Sequence, residues 1–170
     1  MLAYLKSTAS EGIIIRKPKE AKLSLEIYAD ASYGGEGARS QTGVLMTLGN
    51  QSVGWYSRRQ DIVELSIVEA KYKADCEGCG MRRIVLNISL KTPILKTDSE
   101  GAYSLSQTSK FLRCSHHIEH RYHYLRQQFQ SEKLVIRTIP GKENPADILT
   151  KLTPVSSITA WKQQWLDSTG

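Results

Sequence analysis

Four acids in this 170-residue chain stand where a regular element begins or ends. Asp30 closes an alternating apolar run, Leu25-Glu26-Ile27-Tyr28-Ala29, just before the Gly34-Gly35 turn, and Asp98 closes the shorter run Pro93–Thr97. Glu69 follows Ser66 at the start of a long helical pattern, and Asp147 follows Asn144-Pro145 at the start of another. Carboxylates gathered at one place repel one another unless divalent cations neutralise them. An oxygen-only donor set selects Mg²⁺ or Mn²⁺ over Zn²⁺. Two such ions, roughly 3.5–4 Å apart, clamp the attacking water and the leaving oxygen of a phosphodiester in line, which is nuclease chemistry.

Each acid also has a local reading. Glu69 completes a capping box with Ser66, and Asp147 favours the positive end of its own helix. Asp98 can feed a turn into a helix capped by Ser99, and Asp30 can form an Asx-turn before the glycines. The two readings separate only through the elements that position the acids.

Those elements follow from periodicity. The run from Leu25 predicts a half-buried strand, Thr42–Leu48 a second, and Ser52–Ser57 a third after the Gly49-Asn50-Gln51 turn, so the first three strands form an antiparallel meander. Ile67, Ala70, Ala74, Gly78, Met81, Val85 and Ile88 recur at helical steps, with Gly78 and Gly80 expected to weaken or divide that helix. Pro93–Asp98 is a fourth strand, free to lie parallel to the first because a helix separates it from the third. A short helix to about Gln107, a helix over Cys114–Lys133, a fifth strand at Leu134–Ile139 and a last helix opened by Asn144-Pro145 follow. The order predicts an α/β domain: a mixed five-stranded sheet, three antiparallel strands then two parallel, with helices on both faces. It is the element order of the ribonuclease H fold. If the first and fourth strands are parallel neighbours, Asp30 and Asp98 meet at their carboxyl ends, where open α/β sheets place ligands.

Composition agrees with one globular domain: 40% hydrophobic and 24% charged residues, net charge +6 and pI near 9.2. The basic balance favours an anionic partner such as nucleic acid. The sequence has no apolar run of membrane-spanning length and no secretory leader pattern, so no membrane partner and an intracellular location are expected. Cys76, Cys79 and Cys114 are too few for a disulfide framework. With His116 and His117 they have ligand types suited to Zn²⁺, but Cys76 and Cys79 fall within a helical pattern, where Cys is commonly a small buried apolar residue.

Five stretches carry a resemblance: Tyr28–Gly34, Leu65–Tyr72, Thr97-Asp98-Ser99, His117–His123 and Asn144–Lys151. Together they resemble the ribonuclease H region at the end of copia-type LTR retrotransposon Pol polyproteins, over roughly residues 1–155. The resemblance implies residues 1–22 as the tail of an upstream reverse-transcriptase connection, 23–155 as the ribonuclease H domain and 156–170 as a C-terminal tail. It also implies an enzyme that hydrolyses the RNA strand of RNA–DNA hybrids during reverse transcription, with the reverse transcriptase domain of the same polyprotein as its partner. Asp30, Glu69, Asp98 and Asp147 are then the catalytic acids and the ligands of two Mg²⁺ or Mn²⁺ ions. The setting implied is cytoplasmic virus-like particles, the nucleus, or both.

Expected substrate contacts are the Gly34 turn with Arg39, Ser40 and Thr42, then Ser99 and Gln107, with Arg113, His116 and Arg121 gripping the other strand. Three departures stand out. Where the family commonly has a second Glu, two residues after Glu69, this chain has Lys71; helical geometry puts it on a different face from Glu69, with little effect on metal binding expected. His116 replaces a usual Lys, and the loop before Asp147 has no His. The alternative to the enzyme is a catalytically inactive nucleic-acid-binding or assembly domain of the same fold.

Overall fold

A computed structural model describes residues 23–35, 37–49, 51–82, 91–107 and 119–153, with isolated positions 6, 9, 12 and 158 beyond them. Strands β1 (Leu25–Ser32), β2 (Gln41–Leu48) and β3 (Gln51–Arg59) are followed by helix α1 (Ile67–Met81). Strand β4 (Ile94–Thr97), helices α2 (Glu100–Gln107) and α3 (Glu119–Gln130) and strand β5 (Val135–Thr138) come next, then two 3₁₀ turns, Gly141–Glu143 and Pro145–Leu149. The last helix expected from the sequence is thus the short turn Pro145–Leu149, capped by Asn144 as predicted: its Oδ1 accepts from Ala146 N at 3.2 Å.

The five strands form one sheet in the order β3-β2-β1-β4-β5. β1–β2 and β2–β3 pair antiparallel, while β1–β4 and β4–β5 pair parallel, the helical crossovers through α1 and through α2 and α3 allowing this. The register Ala29↔Thr97 sets Asp30 beside Asp98 at the carboxyl ends of two central strands.

Alternation along β1 divides the sheet's faces. Leu25, Ile27, Ala29 and Ala31 are buried in one apolar core with Val44, Met46 and Leu95, under Ala70, Tyr72 and Ala74 of α1 and with Ala102 and Leu125 of the other helices. α1 runs unbroken through Gly78 and Gly80 to Met81, while Val85 and Ile88, expected on the same stripe, lie outside the described residues. A Cβ on Gly78 would come within 3.0 Å of Ile27 Cγ2, so glycine lets the helix lie close on β1 and β2. Within this layer Lys73 and Glu64 form a buried ion pair at 2.9 Å. Gln60 Nε2 donates to Thr42 Oγ1 at 2.9 Å and to Ala70 O at 3.0 Å, tying the strand exit to both β2 and the start of α1.

At the site end, a Cβ on Gly43 would meet Thr150 Cγ2 at 2.7 Å and Ala146 O at 2.8 Å. Since Gly43 is the register partner of Asp30, this close approach seats the Pro145–Leu149 turn against β2 next to Asp30. Asn144 fixes it further by donating to Ala29 O at 2.9 Å.

Candidate active site

Asp30 is 1% exposed at the end of β1, and its two oxygens have different partners. Oδ1 accepts from Lys71 Nζ at 2.9 Å, and Oδ2 accepts from Thr150 Oγ1 at 2.5 Å, with Lys151 Nζ at 3.8 Å. Asp98, immediately past β4, accepts from the same Lys71 ammonium through both oxygens at 2.6 Å. Asp147 accepts from Lys151, one turn further on. Three of the four predicted acids are therefore linked through two lysines and one threonine.

Glu69 is placed differently. Ser66 caps α1 by accepting from Glu69 N at 3.1 Å, and Glu69 Oε2 reaches back to accept from Leu65 N at 2.8 Å. Its local role is that of a helix cap, close to the capping box the spacing suggests.

Position 71, two residues on, is the one whose side chain reaches the strand ends. Lys71 bonds two of the acids, Asp30 and Asp98. An ammonium has three N–H donors, and Lys71 meets three carboxylate oxygens, so its donor capacity is matched by the two aspartates.

Electrostatics follow from this geometry. Burial pushes the Asp30 carboxyl up, but the hydrogen bond from Thr150 and the charge and hydrogen bond of Lys71, with Lys151 behind, outweigh it and hold Asp30 below its ordinary value. Burial likewise pulls Lys71 down, and the hydrogen bonds and charges of Asp98 and Asp30 overcome it, so its ammonium is held above the ordinary lysine value. Asp75, one turn after Lys71 on α1, is fully enclosed. Burial drives its carboxyl well up, a hydrogen bond with Thr97 opposes this, and the neighbouring Asp98 and Asp30 add to the rise. Its Oδ1 has no hydrogen-bond partner.

A divalent ion of the kind the sequence suggests must take oxygens from this set. The oxygens of Asp30 and Asp98 already accept from Lys71 and Thr150, and Asp147 is paired with Lys151. Among the described residues, no three Asp, Glu, His or Cys side chains come together as a ligand group. The donor set does not fit Mg²⁺ or Mn²⁺ as arranged. Nor is there a zinc site among these residues: Cys76 and Cys79 are buried on α1, and burial pushes the Cys79 thiol up to about 11, which keeps it protonated and inert. Cys114 lies outside the described residues.

The expected substrate contacts separate by exposure. Gly34, Arg39 and Gln107 are exposed, and a Cβ at Gly34 would clash with Ala38 O at 2.7 Å, so the tight turn there requires glycine. Ser40 and Thr42 are fully buried: Ser40 Oγ accepts from Gly34 N at 3.3 Å and Thr42 Oγ1 from Gln60. These hydroxyls serve the turn and the sheet, which corrects their expected role in holding a nucleic-acid strand. Ser99 is also buried, and its Oγ accepts from Ala102 N at 3.1 Å as a cap of α2. Arg121 lies on α3, while Arg113 and His116 lie outside the described residues.

No protein-family model matches the chain. It is 33% identical, over 82% of its length, to the retrovirus-related Pol polyprotein from transposon TNT 1-94 of Nicotiana tabacum. It is 31% identical, over 89% of its length, to that from transposon RE1 of Arabidopsis thaliana. The chain spans 11% of the length of each of these relatives. Among solved structures it is similar to LC11-RNase H1 in complex with an RNA/DNA hybrid, with TM-score 0.56 and 17% identity, over 76% of this chain and 94% of that one. The prototype foamy virus protease-reverse transcriptase matches with TM-score 0.53 and 11% identity, over 81% of this chain and 21% of that one. No helix among the described residues is long and apolar enough to cross a membrane.

Proposed function

Because this chain has the ribonuclease H fold and its homologues are retrovirus-related Pol polyproteins of plant transposons, we propose that it is the hybrid-binding ribonuclease H domain of such a polyprotein, gripping RNA–DNA hybrid without cutting it. The observation that carries the second half is the Lys71 ammonium bonded to both Asp30 and Asp98 at the carboxyl ends of β1 and β4. Binding runs over the strand ends and the Gly34–Arg39 turn, where backbone N–H groups and exposed basic side chains meet phosphate, and the hybrid is read by shape. Residues 23–155 form the domain, and a reverse transcriptase domain of the same polyprotein supplies further grip. Its setting is that of the polyprotein, in cytoplasmic virus-like particles or the nucleus.

A second reading is favoured by one observation: Asp30 lies beside Asp98 at the strand ends, and Lys151 joins Asp30 to Asp147. In it the domain is a metal-dependent endoribonuclease that hydrolyses the RNA strand, with two Mg²⁺ or Mn²⁺ ions. That reading requires Lys71 to vacate the aspartates first.

A labelled RNA–DNA hybrid separates the two. Under the first reading the chain binds hybrid with an affinity that falls steeply as salt rises, and leaves the RNA intact with Mg²⁺ or Mn²⁺. RNA cleavage by the parent that disappears in Asp98→Asn establishes the second. Absence of salt-sensitive hybrid binding overturns the first.

A further inference from the structure

We infer that the Lys71 ammonium is the resident cation of this site: it holds the place between Asp30 and Asp98, and a divalent ion is bound there only once the lysine is replaced. The inference rests on the reading of this sheet end as the fold's acid edge. It is independent of whether nucleic acid binds.

Three observations carry it. First, the ammonium is satisfied to its full donor count by Asp30 Oδ1 at 2.9 Å and both Asp98 oxygens at 2.6 Å, so it is placed as a ligand-bound ion. Second, the remaining Asp30 oxygen accepts from Thr150 Oγ1 at 2.5 Å and has Lys151 Nζ at 3.8 Å, so a dication there competes with a hydroxyl and a second ammonium. Third, Lys71 is enclosed: its side chain is 13% exposed, beside Asp30 at 0% and Asp98 at 11%. An incoming dication must therefore displace a like charge from a largely buried ion-pair cluster and shed its own water, and Mg²⁺ and Mn²⁺ bind oxygen sites well only where carboxylates are free to replace that water. Charge accounts for the same outcome. Lys71 and Lys151 bring two positive charges against the three negative charges of Asp30, Asp98 and Asp147, so the cluster has little residual attraction for a dication.

The converse is specific to position 71. Glu at this position, the residue the resembled family commonly carries there, removes the ammonium and adds a carboxylate on the stem that reaches Asp30 and Asp98. Lys71→Glu then assembles a three-carboxylate oxygen set where the parent has an internal salt bridge.

The test is Mn²⁺ titration of the full 170-residue chain without nucleic acid, read by the electron paramagnetic resonance signal of free Mn²⁺. The parent is expected to bind no more Mn²⁺ than Asp98→Asn does. Lys71→Glu is expected to bind at least about tenfold more tightly than the parent, and to melt about 3–6 °C higher when Mn²⁺ is added to about ten times its Kd, while the parent's Tm does not move. Should Lys71→Glu fold poorly, Lys71→Gln removes the ammonium without adding charge and is titrated in its place, with the same direction expected. Mn²⁺ binding by the parent that is lost in Asp98→Asn overturns the inference, as does failure of folded Lys71→Glu or Lys71→Gln to bind more than the parent. Neither result bears on hybrid binding, which is measured separately.

Discussion

Replacing Lys71 with Met deletes the ammonium and keeps most of the aliphatic stem, so the stability lost reports the two ion pairs. Removing one partner of a fully buried pair costs about 3–5 kcal/mol, whereas an exposed pair is worth about 0–1 kcal/mol. Here the side chain of Asp30 is 0% exposed, that of Asp98 11% and that of Lys71 13%, which places the pairs near the buried limit. Asp30 keeps the Thr150 hydroxyl at 2.5 Å and Lys151 at 3.8 Å, which softens the loss. A cost of about 2–4 kcal/mol results, equivalent to a Tm about 5–15 °C below the parent at pH 7 for a chain of this size. The pH dependence has a definite sign. Asp30 lies below its ordinary value of 3.8, so its contribution is present above that pH and lost as pH falls through the lower folded value. Lys71 lies above its ordinary 10.5, so its contribution is complete below 10.5 and lost only as pH rises through the higher folded value. The gap between parent and Lys71→Met is therefore flat from about pH 5 to pH 9 and closes below about pH 4. Thermal melts across that range decide the matter: a variant melting within about 1 °C of the parent at pH 7, or a gap of equal size at pH 3, refutes the reasoning.

Gly43→Ala drives a methyl into Thr150 and Ala146 O, so it is expected to cost about 1–3 kcal/mol in denaturant unfolding and to expose the Thr150 amide, bonded to Asp147 O, to hydrogen exchange. Asp75→Asn removes a carboxyl whose folded-state value is raised by burial. The parent loses stability as pH rises above 3.8 because only the unfolded chain ionises freely there, so the variant's Tm should gain on the parent's more at pH 8 than at pH 4. Glu69→Ala should cost about 0.5–1.5 kcal/mol through the helix start and leave hybrid affinity within about twofold of the parent, measured by fluorescence anisotropy.

The strand order and the Asp30–Asp98 juxtaposition were legible in the sequence because they rest on period-2 alternation in β1 and on a crossover long enough to force parallel pairing. Asn144-Pro145 was legible as an element start for equally local reasons. The face of α1 was legible only in part. The stripe through Ile67, Ala70 and Ala74 is buried at Ala70, Ala74 and Gly78 but not at its start, where Ile67 is 51% exposed, and burial extends over positions 72–76 because α1 packs against the sheet and also against helices α2 and α3. The missed signal was the charge spacing Lys71, Lys73, Asp75 in the middle of the helix, where the neighbouring residues are buried. Charges there need partners, and each finds one from another element: Asp30 and Asp98, Glu64, and Thr97. Ser40, Thr42 and Ser99 are expected from the sequence as nucleic-acid contacts, because local sequence does not reveal that their hydroxyls accept hydrogen bonds inside the turn, sheet and helix cap.

The most direct measurement is a crystal structure of the chain grown in millimolar Mn²⁺, with anomalous differences recorded near the manganese edge. Lys71 Nζ seated between Asp30 and Asp98, with no anomalous peak at the strand ends, is the expected result. A manganese peak bridging the two aspartates, with the lysine turned out to solvent, contradicts it.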